Sequence, residues 1–269
     1  MDSSTEMPRR PSLFPGLNAS KWPWWAIVIA LLGLVMVSLI ISDGQYRATF
    51  LYLKDGVLTT LRITLFAFLF ATSLGLLTGL ARVSKNPVLF NIATFYVETI
   101  RGIPLVVLLL YIAFALMPLL VDALNAMGIV SSLRDVPMEA RAIIALAIGY
   151  GAYEGEVFRA GIQSIGKGQM EAAKSLGMNY FQAMRFVILP QAIRRVLPPL
   201  GNDFISLLKD SSLATVLAVD ELTQLGRIRR ASTFRVLETF NLMAFLYLAM
   251  TLVLSGAVGW LERRMKIVE

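Results

Sequence analysis

Apolar side chains dominate this 269-residue chain: 57% of its residues are hydrophobic, 16% are charged, and the mean hydropathy is +0.67. These values lie outside the range of soluble globular domains and place the chain in a bilayer. The sequence contains no His and no Cys, which excludes thiolate catalysis, disulfides and the usual ligands of transition metals. We therefore expect no catalytic residue, no metal ligand and no bound cofactor on this chain.

The net charge of +7 does not indicate a nucleic-acid partner. The basic residues flank apolar runs and do not form one continuous stripe, a distribution typical of the cytoplasmic loops of membrane proteins. Membrane lipid is therefore an expected partner, and nucleic acid is not.

Apolar runs of helical length predict an all-α polytopic membrane protein with about six transmembrane helices. Residues 1–22 contain several prolines and basic residues and are predicted to form a disordered cytoplasmic tail. Residues 23–42 are predicted to add an extra N-terminal transmembrane helix, with its span at 24–41. The interfacial anchor of this helix is predicted to be Trp22, Trp24 and Trp25.

The later elements alternate apolar runs with polar breaks. A polar break at 42–56 precedes the second span. A connector of moderate polarity at 118–139, with a predicted interfacial helix at 119–127, precedes the fourth span. Gly75 and Gly79 form a GxxxG pattern in the second span, which favours close helix packing. Spans two to six are predicted at 57–81, 93–117, 141–162, 198–219 and 240–261, and residues 263–269 are predicted to form a cytoplasmic tail.

A polar, helix-forming segment at 168–190 stands between the fourth and fifth spans. Glu171 is placed in its predicted first turn, good helix formers follow, and Gly177 can end the helix in a left-handed cap. Pro190 is expected to close the segment. Anchors for a partner groove are Tyr180, Phe181, Met184, Phe186 and Val187. From periodicity alone, an ordinary interfacial loop helix remains the alternative.

A near match to a phosphate-binding loop overlaps the start of this segment. Residues 161–168 read GIQSIGKG, which satisfies G-x-x-x-x-G-K but places Gly168 where a P-loop needs the Ser or Thr that binds magnesium. The motif also follows a predicted membrane helix and not a strand. ATP binding by this chain is therefore not expected.

The fifth span carries ionisable residues, which cost about 2.5–3.5 kcal/mol each at membrane depth on insertion scales. Asp203 and Asp210 are seven residues apart, which places them on one helical face two turns apart. The candidates for lining a substrate path are Asp203, Asp210, Asn202, Ser206 and Ser211. The alternative is that Asp210 pairs with Lys209 or an arginine to hold the fold.

Two acids on the fourth span are weaker candidates for the same path. Glu154 and Glu156 both lie in its second half. Glu156 precedes Arg159 by one helical turn, so that a structural ion pair is its expected role.

Several motifs resemble the membrane-spanning subunits of ATP-binding cassette importers. Residues 168–190 are similar to the EAA loop of these subunits through Glu171, Ala172, Ala173, Gly177 and the ILP ending. From 152 to 223 the chain is similar to the polar amino-acid branch, with AYEGEVFRAGIQSIGKGQMEAAKSLG, VILPQAIRRVLPPLGNDF and LLKDSSLATV in order. DGVLTTLRIT and RGIPLVV match upstream, so that the resemblance covers 55–262. The chain departs from the family pattern at Val107, where many relatives carry Gln. The resemblance therefore defines the part of the substrate path formed by this upstream region less well.

The resemblance implies a mechanism and a set of partners. Two permease subunits, identical or different, would enclose one path in the bacterial cytoplasmic membrane, with both termini in the cytoplasm. The coupling loop at 166–195 would dock into a separate ATPase subunit, which alone would bind ATP and Mg and drive alternating access. The docking residues would be Glu171, Ala172, Ala173 and Gly177.

The same resemblance implies an amino-acid substrate, delivered by an extracytoplasmic substrate-binding protein and held in part by Asp203 and Asp210. Two acids favour a cationic side chain such as that of arginine or lysine, and a general polar amino-acid system remains open. An ion-coupled secondary transporter or channel is the alternative, but the repeated broken helices or inverted half typical of that class are not evident. An intramembrane hydrolase is disfavoured, since no Ser–base pair is apparent.

Overall fold

The computed structural model describes residues 24–128 and 132–265, and these residues form α-helices joined by short turns. The all-α prediction is confirmed. The predicted tail at 1–22 and the end of the predicted tail at 263–269 lie outside the described residues. The helices are α1 (Trp24–Ser42), α2 (Gly44–Val83), α3 (Pro87–Arg101), α4 (Leu105–Tyr111), α5 (Met117–Ala126), α6 (Met138–Gln163), α7 (Lys167–Ser175), α8 (Tyr180–Ala183), α9 (Leu189–Asp210), α10 (Leu222–Thr233) and α11 (Val236–Met265).

Four stretches in the described part of the chain are long and apolar enough to cross a membrane. They are Trp24–Ser42, Gly44–Val83, Leu105–Ala126 and Val236–Arg264. Helices α6 and α9, with 26 and 22 residues, reach spanning length but are more polar. The six predicted spans correspond to these four stretches together with α6 and α9.

The predicted break at 42–56 is wrong, because α2 begins at Gly44 and continues for 40 residues. Asp43 alone separates α1 from α2, and its side chain caps α2 by accepting the N–H groups of Gln45 and Tyr46 at 2.7 and 3.2 Å. Such a cap satisfies backbone donors at the helix start. A helix can therefore carry polar residues beyond the apolar run that defines the span.

The third predicted span is also wrong as a single helix. Helix α3 ends at Arg101, and α4 begins after Pro104. Proline has no N–H to continue the helical hydrogen bonds, so the apolar run is interrupted. Beyond α4, a π-helical turn at Ile112–Leu116 leads directly into α5, which overlaps the interfacial helix predicted at 119–127 but is the end of one continuous apolar stretch, Leu105–Ala126.

The fifth span begins and ends earlier than predicted. Pro190 lies in the first turn of α9 and opens that helix, so its expected role as the end of the preceding segment is wrong. Proline suits this position because the first N–H groups of a helix have no partner within it. Pro198 and Pro199 lie inside α9, and after Asp210 the chain tightens into a 3₁₀ turn at Ser211–Leu217.

Helices α2 and α6 run side by side in the same direction and form the centre of the bundle. Arg62, near the middle of α2, pairs with Glu139 at the start of α6, and the two glycines predicted for close packing lie further along α2. A Cβ added to Gly75 would stand 2.8 Å from the Glu154 Cβ, and one added to Gly79 would stand 2.6 Å from the Phe158 Cβ. The GxxxG prediction is confirmed, because only glycine permits this approach.

Helix α9 returns antiparallel to α6. Gly161 of α6 faces Val196 near the start of α9, and Tyr150 meets Asp210 at its end. The bundle therefore has one end where α6 passes through α7 and α8 into α9, which we call the docking end. Helix α10 lies toward the opposite end, where Leu222 packs against Gly56 of α2.

Candidate functional site

The predicted docking helix exists, and its end has the predicted geometry. Helix α7 is followed by Gly177 with a positive φ of 81°. The N–H of Gly177 donates to Lys174 O at 2.9 Å, and the N–H of Met178 donates to Ala173 O at 3.1 Å. This pair of bonds is the Schellman motif, which satisfies the last carbonyls of a helix and favours glycine in the left-handed position.

A second short helix follows the turn and begins with a cap that the sequence analysis missed. Asn179 and Gln182 form a reciprocal capping box, with hydrogen bonds of 2.9 and 3.0 Å between each side chain and the other residue's backbone. The N-x-x-Q spacing was the available signal. From α8 the chain passes through a π-helical turn at Met184–Ile188 into α9. We call residues 167–188 the docking element.

The four predicted docking residues do not share one environment. Glu171, Ala172 and Gly177 are exposed, whereas Ala173 is only 2% exposed and packs against the bundle. The docking role predicted for Ala173 is therefore wrong, because a partner cannot reach it. Glu171 lies in the middle of α7 and not in its first turn, since the helix begins at Lys167.

Large apolar side chains cover the outer surface of the docking element. Leu176 and Phe181 are 80% and 81% exposed, and Phe186 is 64% exposed. A notch of about 340 Å³ lies among Leu176, Gly177, Met178, Gln182 and Phe186. Exposed apolar groups around a concave site are typical of protein interaction surfaces.

The inner surface of the docking element holds it to the bundle. Met184 and Val187, predicted as partner anchors, instead pack with Met170 against a cluster formed by Ile162, Ile165, Ile188 and Ala192. The Arg195 guanidinium also donates to Ser164 O at 2.6 Å, which joins the end of α6 to α9. A force applied to the docking element would therefore act on both helices.

The predicted acids of α9 lie on one face and meet α6. Asp210 accepts a hydrogen bond from the Tyr150 hydroxyl at 2.7 Å. Asp203 is half-buried and lies two helical turns before Asp210 on the same face of α9. The alternative that Asp210 pairs with Lys209 or an arginine is wrong, because none of the ion pairs among the described residues includes Asp210, which bonds to Tyr150.

The other candidates of α9 divide into accessible and inaccessible groups. Asn202 is exposed and Ser206 is half-buried. Ser211 is fully buried, and its hydroxyl donates to Leu208 O at 2.7 Å. Ser211 is therefore already satisfied within the 3₁₀ turn, whereas no hydrogen bond of the Asn202 or Ser206 side chain is found in the described part of the chain.

Two residues of α6 belong to the same interior. Tyr150 was not singled out from the sequence, since an aromatic residue in an apolar helix gives no signal of its own. Glu154, a weaker candidate, is fully buried, and neither of its carboxylate oxygens has a hydrogen-bond partner among residues 24–128 and 132–265. The ion pair predicted between Glu156 and Arg159 is confirmed, and Arg82 also binds Glu156 at 2.8 Å.

Residues 71–267 match the protein family described as binding-protein-dependent transport system inner membrane component. The chain belongs to this family. It is therefore a multi-pass permease subunit of an inner membrane transport system, and this assignment decides against the secondary transporter and the hydrolase.

Individual relatives extend over most of the chain. The glutamine transport system permease protein GlnP of Escherichia coli (strain K12) is 42% identical over 216 residues, which are 80% of this chain and 94% of that protein. The arginine transport system permease protein ArgU of Corynebacterium glutamicum is 32% identical over 273 residues, which are 97% of this chain and 85% of that protein. The match to ArgU is thus long enough to include α1.

A solved structure of an amino acid ABC transporter with histidines has the same fold. It shares 37% sequence identity with this chain, with a TM-score of 0.68, and the match covers 84% of this chain and 98% of that one. The all-helical arrangement of this family member is therefore that of an ATP-binding cassette permease.

Proposed function

We propose that this chain is one of two permease subunits in an importer that moves polar amino acids across the bacterial cytoplasmic membrane. A separate ATPase subunit supplies the energy, and the path opens alternately to either side. The observation that carries the proposal is the docking element, an exposed apolar surface built onto the shared end of α6 and α9.

The docking element suits a partner with a complementary groove. Leu176 and Phe181 supply the apolar contact. Beside them, Glu171 adds a polar group, and the small side chain of Ala172 allows the partner to approach closely. Lys174 and Arg185 are exposed at the rim, where charges mainly affect the rate of association. ATP and Mg bind to the partner, and this chain needs no cofactor of its own.

Relatives support the substrate class. The names of GlnP and ArgU refer to glutamine and arginine transport, and the name of a third, TcyB of Bacillus subtilis, refers to L-cystine. All three are polar amino acids with a carboxylate and an ammonium group. The α9 face with Asp203, Asp210, Asn202 and Ser206 offers acceptors for the ammonium group and donors for the carboxylate.

The arrangement of the helix ends supports an orientation with both termini in the cytoplasm. Ile29 of α1 and Leu252 of α11 line one groove, and Leu261 lines a cavity with Leu197, near the start of α9. The beginning of α1 and the end of α11 therefore lie toward the docking end. A cytoplasmic ATPase places that end inside the cell and leaves α10 to face an extracytoplasmic substrate-binding protein.

Co-purification and uptake test the proposal together. The chain is expressed with the ATPase of its transport system, and complex formation, ATP hydrolysis and amino-acid uptake are measured. Glu171→Arg and Leu176→Asp should each lower complex recovery and uptake roughly tenfold, because both groups are on the exposed surface. Asp220→Asn is the matched control, since this exposed acid lies between Ser211–Leu217 and α10, away from the docking end. Normal uptake by both docking variants would contradict the proposal.

A further inference from the structure

Helix α10 carries basic side chains on a surface that faces away from the bundle. Its sequence, LTQLGRIRRAST, contains three arginines and no acidic residue. Arg227 and Arg230 are exposed and lie one helical turn apart, whereas Arg229 is half-buried. None of the ion pairs or cation–ring contacts found among residues 24–128 and 132–265 includes Arg227 or Arg230. The outward surface of α10 is therefore positively charged, and no acid in the described part of the chain pairs with it.

The opposite face of α10 is fixed to the bundle. Leu222 and Gly226 are buried, and the Leu222 N–H donates to the Thr60 hydroxyl oxygen of α2 at 3.2 Å. Arg229 turns inward, where its guanidinium lies 5.6 Å from the centre of the Tyr52 ring. An amphipathic helix that binds a membrane surface inserts a free apolar face into lipid. In α10 this face already packs against the bundle, which favours a protein partner for the outward arginines.

Arg227 also contacts the turn that follows the substrate-path helix α9. Its guanidinium donates to the Thr215 hydroxyl oxygen at 3.1 Å, and this hydroxyl donates to the Gln224 side chain at 2.8 Å. Thr215 lies in the 3₁₀ turn Ser211–Leu217, which begins immediately after Asp210. These two bonds connect the outward surface of α10 to the end of α9 that carries Asp210.

An exposed aromatic side chain follows the arginines. Phe234 ends α10, and its N–H donates to the Arg230 carbonyl at 2.8 Å. The residue is 85% exposed, and its φ of 57° is a left-handed conformation that is uncommon for a large side chain. Aromatic residues and arginine are both enriched in protein interfaces. Phe234 therefore adds an apolar group beside the charged ones.

We propose that Arg227, Arg230 and Phe234 form a receiving surface for an acidic face of the substrate-binding protein, and that Arg227 transmits binding to α9 through Thr215. The inference rests on the proposed function, which places α10 on the extracytoplasmic side. The positive surface attracts the acidic partner, since charges at the rim of an interface mainly raise the rate of association. The bound acid then competes with Thr215 for the Arg227 guanidinium and loosens the turn that follows Asp210.

ATP hydrolysis stimulated by the binding protein tests the receiving surface. The full-length chain is assembled with its ATPase in phosphatidylcholine nanodiscs. The substrate-binding protein of the same transport system is then titrated, with a mixture of the standard amino acids, at low and at physiological ionic strength. The measurements are its half-maximal concentration, the maximal stimulation over basal hydrolysis, and the Tm of each variant. For the unchanged chain, salt should raise the half-maximal concentration, because it screens exposed charges.

The variants separate binding from transmission. Arg230→Glu should raise the half-maximal concentration roughly tenfold and reduce its salt dependence. Phe234→Gly should raise it to a smaller extent with an equal or higher Tm, because glycine adopts a positive φ without strain. Thr215→Val keeps the surface charges and removes the link, so it should lower maximal stimulation at an unchanged half-maximal concentration. Arg227→Glu should change both quantities. Lys54→Glu makes the same charge change on an exposed residue of α2 and should leave both unchanged.

Other results would overturn the proposal. If Arg230→Glu and Phe234→Gly had the half-maximal concentration of the unchanged chain, the binding protein would not use this surface. Full maximal stimulation of Thr215→Val would exclude transmission through the turn. A rise in Tm in phosphatidylglycerol nanodiscs that Arg230→Glu abolishes, with an unchanged half-maximal concentration, would assign the arginines to anionic lipid. If the binding protein did not stimulate the unchanged complex at all, the proposed function itself would fail.

Discussion

Polar residues have opposite surroundings in the docking element and in the interior between α2, α6 and α9. Glu171, Lys174 and Arg185 of the docking element extend into solvent, and its helix ends are satisfied by neighbours in sequence. In the interior, Asp210 accepts a hydrogen bond from Tyr150, 60 residues away, and the described part of the chain offers no hydrogen-bond partner to the buried Glu154 carboxyl. Local sequence therefore organises the docking element, whereas helix packing organises the interior.

A substitution in the packed interior should have the strongest effect. Gly79→Ala adds a Cβ that would stand 2.6 Å from the Phe158 Cβ, between two backbones that cannot both remain in place. We expect a loss of about 1–3 kcal/mol of stability, measured as a lower Tm and a lower yield of folded protein in detergent. Gly166→Ala is the control, because no atom lies within 4 Å of the added Cβ. Equal Tm values for the two variants would contradict the close contact.

Two adjacent alanines separate the inner and outer surfaces of the docking element. Ala173 is only 2% exposed, so Ala173→Arg places a charged side chain in the buried contact between α7 and the bundle. The variant should displace α7 and lower both Tm and association with the ATPase. Ala172→Arg changes an exposed position and should lower association with Tm unchanged. Co-purification and thermal unfolding of both variants measure the difference. If Ala172→Arg lowered Tm as much as Ala173→Arg, the assignment of the inner and outer surfaces would be incorrect.

The Tyr150–Asp210 hydrogen bond connects the interior to the proposed substrate path. A hydrogen bond to a charged group contributes about 1.5–3 kcal/mol, so Tyr150→Phe should lower uptake roughly tenfold. Asp210→Asn should lower uptake of a cationic amino acid more than that of a neutral one. The double variant should be no worse than Asp210→Asn alone if the tyrosine acts by positioning the carboxylate. Fully additive losses would assign independent roles to the two residues.

A substitution in the turn of the docking element should have the weakest effect. Gly177 has a φ of 81°, which costs about 1 kcal/mol for alanine. Gly177→Ala should increase hydrogen exchange of α7 without changing the global Tm, and Gly177→Asn should be milder because asparagine tolerates this conformation. Unchanged exchange in the alanine variant would mean that the Schellman geometry is not required.

The sequence predictions were more accurate for features set by local sequence than for features set by packing between helices. The end of α7 at Gly177 was predictable, since the conformational freedom of glycine is a local property. Pro190 was assigned to the wrong helix boundary, because a proline is compatible both with the end of one element and with the first turn of the next. Ala173 was assigned to the wrong surface, since a stretch of similar small residues does not reveal which of them packs inward.

The all-α class, the GxxxG contact, the position of the docking element and the family of the chain were all evident from the order of its residues. These features depend on hydrophobic runs, on residues with special backbone properties and on local order, all of which can be read along one segment. The contact of Tyr150 with Asp210 and the burial of Glu154 against Gly75 became apparent only in the folded structure. Such contacts join residues on different helices, and their geometry depends on how closely the glycines allow those helices to approach.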